Sequence, residues 1–364
     1  MISKIVTLGD VCNKGSSNIA QKDLVDRDGI YPIYGAAGYI KNVDFAHQDK
    51  PYLAVVKDGA GIGRVMKLPA NSSIIGTMQY ILPKGNIDID YLYFALQYMN
   101  LSKYFSGSTI PHIYFRDYQK EKLPLPELSE QQGKAYVLLR IEQLIECYRQ
   151  QLTKLDELVK SRFIELFGDA FEHTKLTIGD ISEESTVGIA NSATHAYSDS
   201  GVVLLRNQNI RVNSLDDSDL IYITEEFASN YKNKALKAND ILVTRTGANV
   251  GMACIVPPKY EGCQTFTTLI LRLKKNVRIS PVFVCHYINS PLGKQFIDDK
   301  KVGGAQPNFG AKQLATMPII IPVAELQSQF EMLVEQTDKS KLAVKQSLEK
   351  LEMLKKSLMQ QYFG

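Results

Sequence analysis

The sequence predicts an α+β protein: two mixed α/β domains joined by two long antiparallel coiled-coil helices, related by a pseudo-two-fold internal repeat. Three observations carry that prediction. Residues 125–168 and 321–364 align without a gap at an offset of 196, with 11 of 44 positions identical. Both stretches place apolar residues at alternating spacings of four and three, the pattern of a coiled-coil seam. The segments before each stretch are instead rich in short β-branched and aromatic runs broken by Gly, Asn and Asp, which reads as strands and surface loops. The period is far longer than a solenoid unit. One large module has been duplicated, giving a first domain over 1–124, a central spacer helix over 125–168, a second domain over 169–320 and a C-terminal spacer helix over 321–364.

In the first domain, Thr7-Leu8-Gly9-Asp10-Val11 opens a pattern that returns as Thr177-Ile178-Gly179-Asp180-Ile181, and the stretch Tyr31–Ile40 pairs with Gly201–Ile210. Strands are expected at Tyr52–Val56 and Ile74–Leu82, and a helix at Asp90–Tyr98. Gly59-Ala60-Gly61-Ile62-Gly63 lacks the G-x-G-x-x-G spacing and reads as a tight loop. The central helix is expected to start with Ser129 as N-cap and Gln132 at the capping-box position, after Pro124 and Pro126. Its seam is Ile141, Ile145, Tyr148, Leu152, Leu155, Val159 and Leu166, with Arg162 a polar slot and Gly168 a C′ stop.

The second domain repeats the design, with strands expected at Asp240–Thr244 and Thr265–Leu273 and a helix at Pro281–Asn289. The C-terminal helix carries Phe330, Val334, Val344, Leu348, Leu351, Leu358 and Tyr362 in the same register, interrupted by Thr337, Lys341 and Lys355. These interruptions make it the weaker half on sequence grounds. Two seams in one chain are most simply satisfied by antiparallel packing on each other. The alternatives are a helix that caps only its own domain, or seams that pair two chains.

Composition leaves function open while excluding several classes. The net charge is only +3, and 45% hydrophobic with 22% charged residues is ordinary for a soluble chain. No apolar run approaches a membrane span, and Met1-Ile2-Ser3-Lys4 lacks the layout of a signal peptide, so no membrane association and a cytoplasmic location are expected. The five cysteines form no C-x-x-C pair, which points to reduced thiols and to no metal. There is no G-x-x-x-x-G-K-[ST] and no H-E-x-x-H, and no nucleophile–His–acid set stands out. Val256-Pro257-Pro258-Lys259 lacks the amide and the aromatic of a methyltransferase N/D-P-P-Y/F loop and reads as a turn. No catalytic residue is expected.

What remains is a set of polar loops at corresponding places. In the first half these offer Lys57, Arg64, Gln79, Thr109 and His112; in the second, Arg206, Asn207, Asn209, Arg245, Thr246, Asn249, Gln264, Gln306 and Asn308. Arg, Asn and Gln can bond base edges bidentately, whereas Ser, Thr and Lys more often hold phosphates. Read singly, each of these side chains is as well explained as a loop cap. As two matched sets they suggest DNA binding. The seam residues Ile141, Ile145, Tyr148, Leu152, Leu155, Val344, Leu348, Leu351 and Leu358 are the expected coiled-coil or subunit interface.

The order of domain, helix, domain, helix resembles the DNA specificity subunit of type I restriction–modification systems. The resemblance rests on Tyr31-Pro32-Ile33-Tyr34-Gly35-Ala36-Ala37-Gly38, on the run from Gly303-Gly304-Ala305-Gln306-Pro307-Asn308 to Pro318-Ile319-Ile320-Ile321-Pro322, and on the twin L-x-K-L-x-x-L-x-K-S segments. It covers essentially the whole chain. The first half departs from it with Ile110-Pro111-His112 where the second has Gln306-Pro307-Asn308. The resemblance implies two target recognition domains that each read one half of a bipartite site in double-stranded DNA. It also implies partners: two adenine-N6 methyltransferase subunits and, in some systems, two restriction subunits. No cofactor is expected on this chain; S-adenosylmethionine, ATP and Mg would belong to those partners. Two other readings are a specificity subunit of a fused cleavage and methylation system, and a coiled-coil adaptor that binds no DNA.

Overall fold

The computed structural model describes residues 4–107, 111–191, 193–304 and 307–364. The chain divides into two compact units, residues 1–150 with 344–364, and residues 151–343. Each is an α+β structure built on the same plan.

The core of the first unit is a four-stranded antiparallel sheet in the order Cys12–Ser16, Met78–Pro83, Tyr52–Val56, Val65–Leu68. All five residues of Tyr52–Val56 are buried, so this strand is covered on both faces. Side chains alternate across a strand, and the two sets meet different partners. Leu53, Val55 and Ile81 pack with Tyr91, Leu92 and Leu96 of the helix Ile89–Met99. Tyr52, Ala54, Met78 and Tyr80 pack on the opposite face with Ile74 and Leu68. A smaller sheet of Gly38–Val43, Tyr31–Gly35 and Ser73–Ile74 joins there, its last pair parallel. The expected single strand over 74–82 is thus two strands, because Ile75–Thr77 turns the chain from one sheet to the other.

The second unit has the same sheet, in the order Ser182–Val187, Leu269–Leu273, Ile241–Val243, Ala253–Ile255. The helix Pro281–Asn289 covers one face through Phe283 and Val284. The other face meets Leu205 and Ile210. A smaller sheet again carries a parallel pair, here Val202–Leu205 with Gln264–Thr265. The repeat is therefore a repeat of topology as well as of sequence.

The two long helices run over Leu128–Phe167 and Ala324–Phe363, 40 residues each. Both pass through both units. In the first unit Lys355 Nζ meets Glu142 Oε1 at 2.6 Å and Arg149 Nη2 meets Glu352 Oε1 at 2.9 Å; in the second, Lys341 Nζ meets Asp156 Oδ1 at 2.5 Å. As one partner advances the other recedes, so the helices are antiparallel. Ile141, Ile145 and Val344 are buried, and Tyr148, Leu152, Leu155, Leu348, Leu351 and Leu358 are half-buried. The polar slots expected to weaken the second helix are matched: Lys341 and Lys355 find carboxylates and Thr337 is buried.

The helix starts differ from expectation. Ser129 is not the cap; Glu127 accepts the amides of Glu130 and Gln131 through its backbone carbonyl at 2.9 and 3.0 Å. Nor does Gly168 form a left-handed stop, since the chain continues into a 3-10 turn over Gly168–His173. The glutamine that matters is Gln131. Its Oε1 accepts the amide of Asp88 at 2.9 Å, and its Nε2 donates to the carbonyls of Asn86 and Pro126 at 3.2 and 2.8 Å. Gln327 repeats this in the second unit, accepting from the Ser280 amide and donating to Arg278 and Pro322 at 2.7, 3.1 and 2.7 Å. Each glutamine fastens a long helix to the cap of the helix that lies on the sheet.

Candidate nucleic-acid interface

In each unit the loop after the central strand meets a short segment preceding a long helix, and the backbone pairing is the same. In the first unit Asp58 and Ser106 form antiparallel bridges to His112. The Gly59 amide donates to the Pro111 carbonyl at 3.0 Å, and the Ile113 amide to Lys57 at 2.9 Å. In the second unit Thr246 and Val302 form antiparallel bridges to Asn308. There the Gly247 amide donates to Pro307 at 3.3 Å, and the Phe309 amide to Arg245 at 2.9 Å. Left-handed glycines shape both loops, Gly59, Gly61 and Gly63 in one, Gly247 and Gly251 in the other. A Cβ at Gly63 would lie 2.5 Å from the Ser102 amide nitrogen, so that position also needs the missing side chain.

On this shared frame the side chains differ. In the first unit Asp58 carboxylate contacts His112 Nδ1, and Lys57 Nζ stands 4.0 Å from the other carboxylate oxygen. The His112 ring packs on Tyr114 at a tilt with centroids 4.1 Å apart, and the Arg116 guanidinium lies over the Tyr114 ring at 4.7 Å. Arg64 is exposed and donates to the Ala36 carbonyl. In the second unit Arg245 Nε donates to Asn308 Oδ1 at 3.2 Å, and Asn207 Nδ2 donates to Thr246 Oγ1 at 3.2 Å. Arg206 is held by Asp219 at 3.0 Å, and Asn249 is exposed at the loop tip. Lys57 with His112, and Arg245, Thr246, Asn207 with Asn308, are therefore brought together as two compact clusters.

Three of the expected contact residues are buried and hydrogen-bonded within their own unit. Gln79 lies within a sheet strand and accepts from the Tyr118 hydroxyl at 2.7 Å. Asn209 accepts from the Arg206 amide and donates to the carbonyls of Asp216 and Asp219, which makes it a staple of its own loop. Gln264 donates to the Tyr231 carbonyl at 3.1 Å while 2% exposed. Thr109 and Gln306 lie outside the described residues. Tyr114 and Arg116 were not anticipated. The repeat hides them, since Gly310 and Lys312 stand at the matching places.

Among the described residues there is no His, Cys, Asp or Glu cluster able to hold a metal, and no helix long and apolar enough to cross a membrane. The clusters are polar platforms on loops carried by a rigid sheet, an arrangement suited to recognition.

Two α/β modules with matched polar loops, strapped to paired helices, define a two-headed recognition protein. The family model for the type I restriction modification DNA specificity domain matches twice, over residues 3–157 and 172–353, and the chain belongs to that family. The type I restriction enzyme MjaVIII specificity subunit of Methanocaldococcus jannaschii is 24% identical over 322 residues, covering 83% of this chain and 76% of that protein. The EcoBI specificity subunit of Escherichia coli is 26% identical over 265 residues, covering 64% of this chain and 54% of that protein. A solved type I restriction-modification S subunit from M. genitalium covers 99% of this chain and 96% of its own at a TM-score of 0.65 and 15% identity. A chain from a structural study of type I R-M complex assembly reaches a TM-score of 0.53 at 13% identity, over 99% of this chain and 97% of its own. These structural likenesses establish the fold.

Proposed function

We propose that this chain is the DNA-recognition subunit of a type I restriction–modification enzyme, each unit reading one half of a bipartite site. The observation that carries this is the repeated loop frame with different side chains. One backbone geometry is presented twice, with Asp58 and His112 on the first copy and Arg245 and Asn308 on the second. Identical frames with unlike side chains are what reading two unlike half-sites requires.

In this reading the chain supplies binding and the chemistry belongs to its partners. Two adenine-N6 methyltransferase subunits would dock on it, with two restriction subunits in systems that cleave, in the cytoplasm. S-adenosylmethionine, ATP and Mg would be bound by those subunits. A 40-residue helix is roughly 60 Å long, and both helices run through both units; we assign their length to setting the unread spacer.

The test is to co-express the chain with the methyltransferase encoded beside it and map N6-methyladenine across the host genome. A bipartite motif with a fixed gap, lost when this chain is omitted, is the expected result. A stable complex that methylates nothing, or a motif that persists without this chain, overturns the reading.

A further inference from the structure

The arginines of the second unit are not equally available. Arg206, Arg211 and Arg272 each meet an aspartate, Asp219 at 3.0 Å, Asp216 at 2.8 Å and Asp240 at 2.7 Å. Arg245 meets no carboxylate among the described residues. Among the described residues its side chain makes one hydrogen bond, from Nε to Asn308 Oδ1 at 3.2 Å. Asn308 is in turn fixed by its bridges to Thr246 and Val302, and the Arg245 carbonyl is held by the Phe309 amide at 2.9 Å.

A guanidinium is a rigid planar fork with five N–H donors. Fixing Nε sets the plane and leaves the two terminal nitrogens, which have no partner among the described residues, as an unneutralised pair of donors. That pair matches the O6 and N7 acceptors on the major-groove edge of guanine. We infer that Arg245, with Asn308 as the residue that positions it, reads a guanine in the half-site bound by the second unit; this rests on the DNA-recognition role proposed above. At the position that answers Arg245 the first unit has Lys57, a point charge leaning on Asp58, whose carboxylate brings acceptors to the place where the second unit brings donors. A guanine contact from this position thus belongs to one half-site only.

The experiment uses the complex of the full chain with its methyltransferase, on duplexes carrying the mapped motif with 7-deazaguanine replacing one guanine at a time. This base pairs normally but lacks the N7 acceptor. In the native complex one replacement, in one half-site, is expected to weaken binding about 3- to 10-fold, roughly half the worth of a bidentate contact. Arg245→Ala should bind that duplex and the unmodified one alike, and Asn308→Ala should discriminate less than the native chain. Both variants should keep the native melting profile, which reports that they are folded, and the native preference for the sequence of the other half-site. If every replacement affects native and Arg245→Ala equally, or the half-site altered by Arg245→Ala holds no guanine, the Arg245 assignment falls and DNA recognition stands. If Asn308→Ala discriminates as the native chain does, Asn308 has no positioning role. If the native complex binds no duplex specifically, both the assignment and the proposed function fall.

Discussion

Gln327 Oε1 accepts the backbone N–H of Ser280 at 2.7 Å, and Ser280 is the cap of the helix that covers the second sheet. Gln131 does the same for Asp88 in the first unit at 2.9 Å. Both side chains are nearly fully buried, at 7% and 1% exposure. Truncating either leaves one backbone amide and two carbonyls, buried or partly buried, without these partners, at a cost of about 1–3 kcal/mol. Gln327→Ala should therefore speed hydrogen exchange at the Ser280 amide by about 5- to 150-fold and leave Asp88 unchanged. Gln131→Ala should do the reverse. Residue-resolved exchange checks both; equal effects of one variant at both amides would contradict the assignment of one clamp to each unit.

The last turn of each long helix ends in a phenylalanine that lands on a sheet-covering helix. Phe167 lies 4.9 Å from Phe283 and 5.7 Å from Phe330, with Phe163 at 5.2 Å. Phe363 lies 5.0 Å from Tyr91 and 6.0 Å from Tyr98. Removing such a ring forfeits its burial and opens a cavity, about 3–5 kcal/mol for Phe→Ala. Phe167→Ala should lower the melting temperature more than Phe363→Ala, since Phe167 is the more enclosed and its neighbouring rings lie nearer. Calorimetry on both variants tests the order, and Leu at either position should recover part of the loss.

His286 makes the second unit sensitive to acid. Asn213 Oδ1 accepts from Asn289 Nδ2 at 2.6 Å, which turns Asn213 Nδ2 toward His286 Nδ1 at 3.3 Å. Nδ1 is thus an acceptor and the ring is neutral. Burial, with Lys341 adding a smaller effect, pushes its pKa down to about 4. The unfolded chain binds this proton near pH 6.5, so the folded state binds fewer protons between those values. Above pH 6.5 the group contributes nothing to pH dependence. As pH falls from about 6.5 to about 4, up to ~3 kcal/mol of stability is lost, and below that the loss levels off. Urea unfolding across this range should show the decline, and His286→Gln should flatten it.

The strands at Tyr52–Val56 and Ile241–Val243 and the covering helices were legible because each has one strong local signal, whereas the single strands expected over 74–82 and 265–273 are each two. Tyr52–Val56 is an unbroken apolar run, and Pro281 stands in the first turn of a helix that Ser280 caps. The seam was legible only as far as its frame holds. A straight helix drifts against a seven-residue repeat by about 20° per heptad. By the end of the first long helix the buried positions are Phe163 and Phe167, and the expected slot at Arg162 instead pairs with Glu165. The burial of Gln79, Asn209 and Gln264 was not legible for another reason. An amide side chain has the same hydrogen-bonding groups whether it meets a base or a backbone, and only burial separates the two.

The paired helices also constrain how the spacer can be changed. Glu142 with Lys355, and Asp156 with Lys341, bracket the middle of both helices. An extra turn after Leu152 alone would shift Asp156 away from Lys341 and break the facing seam. Matched insertions of one turn, after Leu152 and after Leu348, keep both pairs. One turn adds about 6 Å, or one to two base pairs of duplex. The matched variant should therefore lengthen the gap in the methylated motif by that amount with both half-sites unchanged, whereas the single insertion should lower methylation at every site. Methylome sequencing separates the outcomes, and half-sites that change while the gap stays fixed would remove the helices from their role as a ruler.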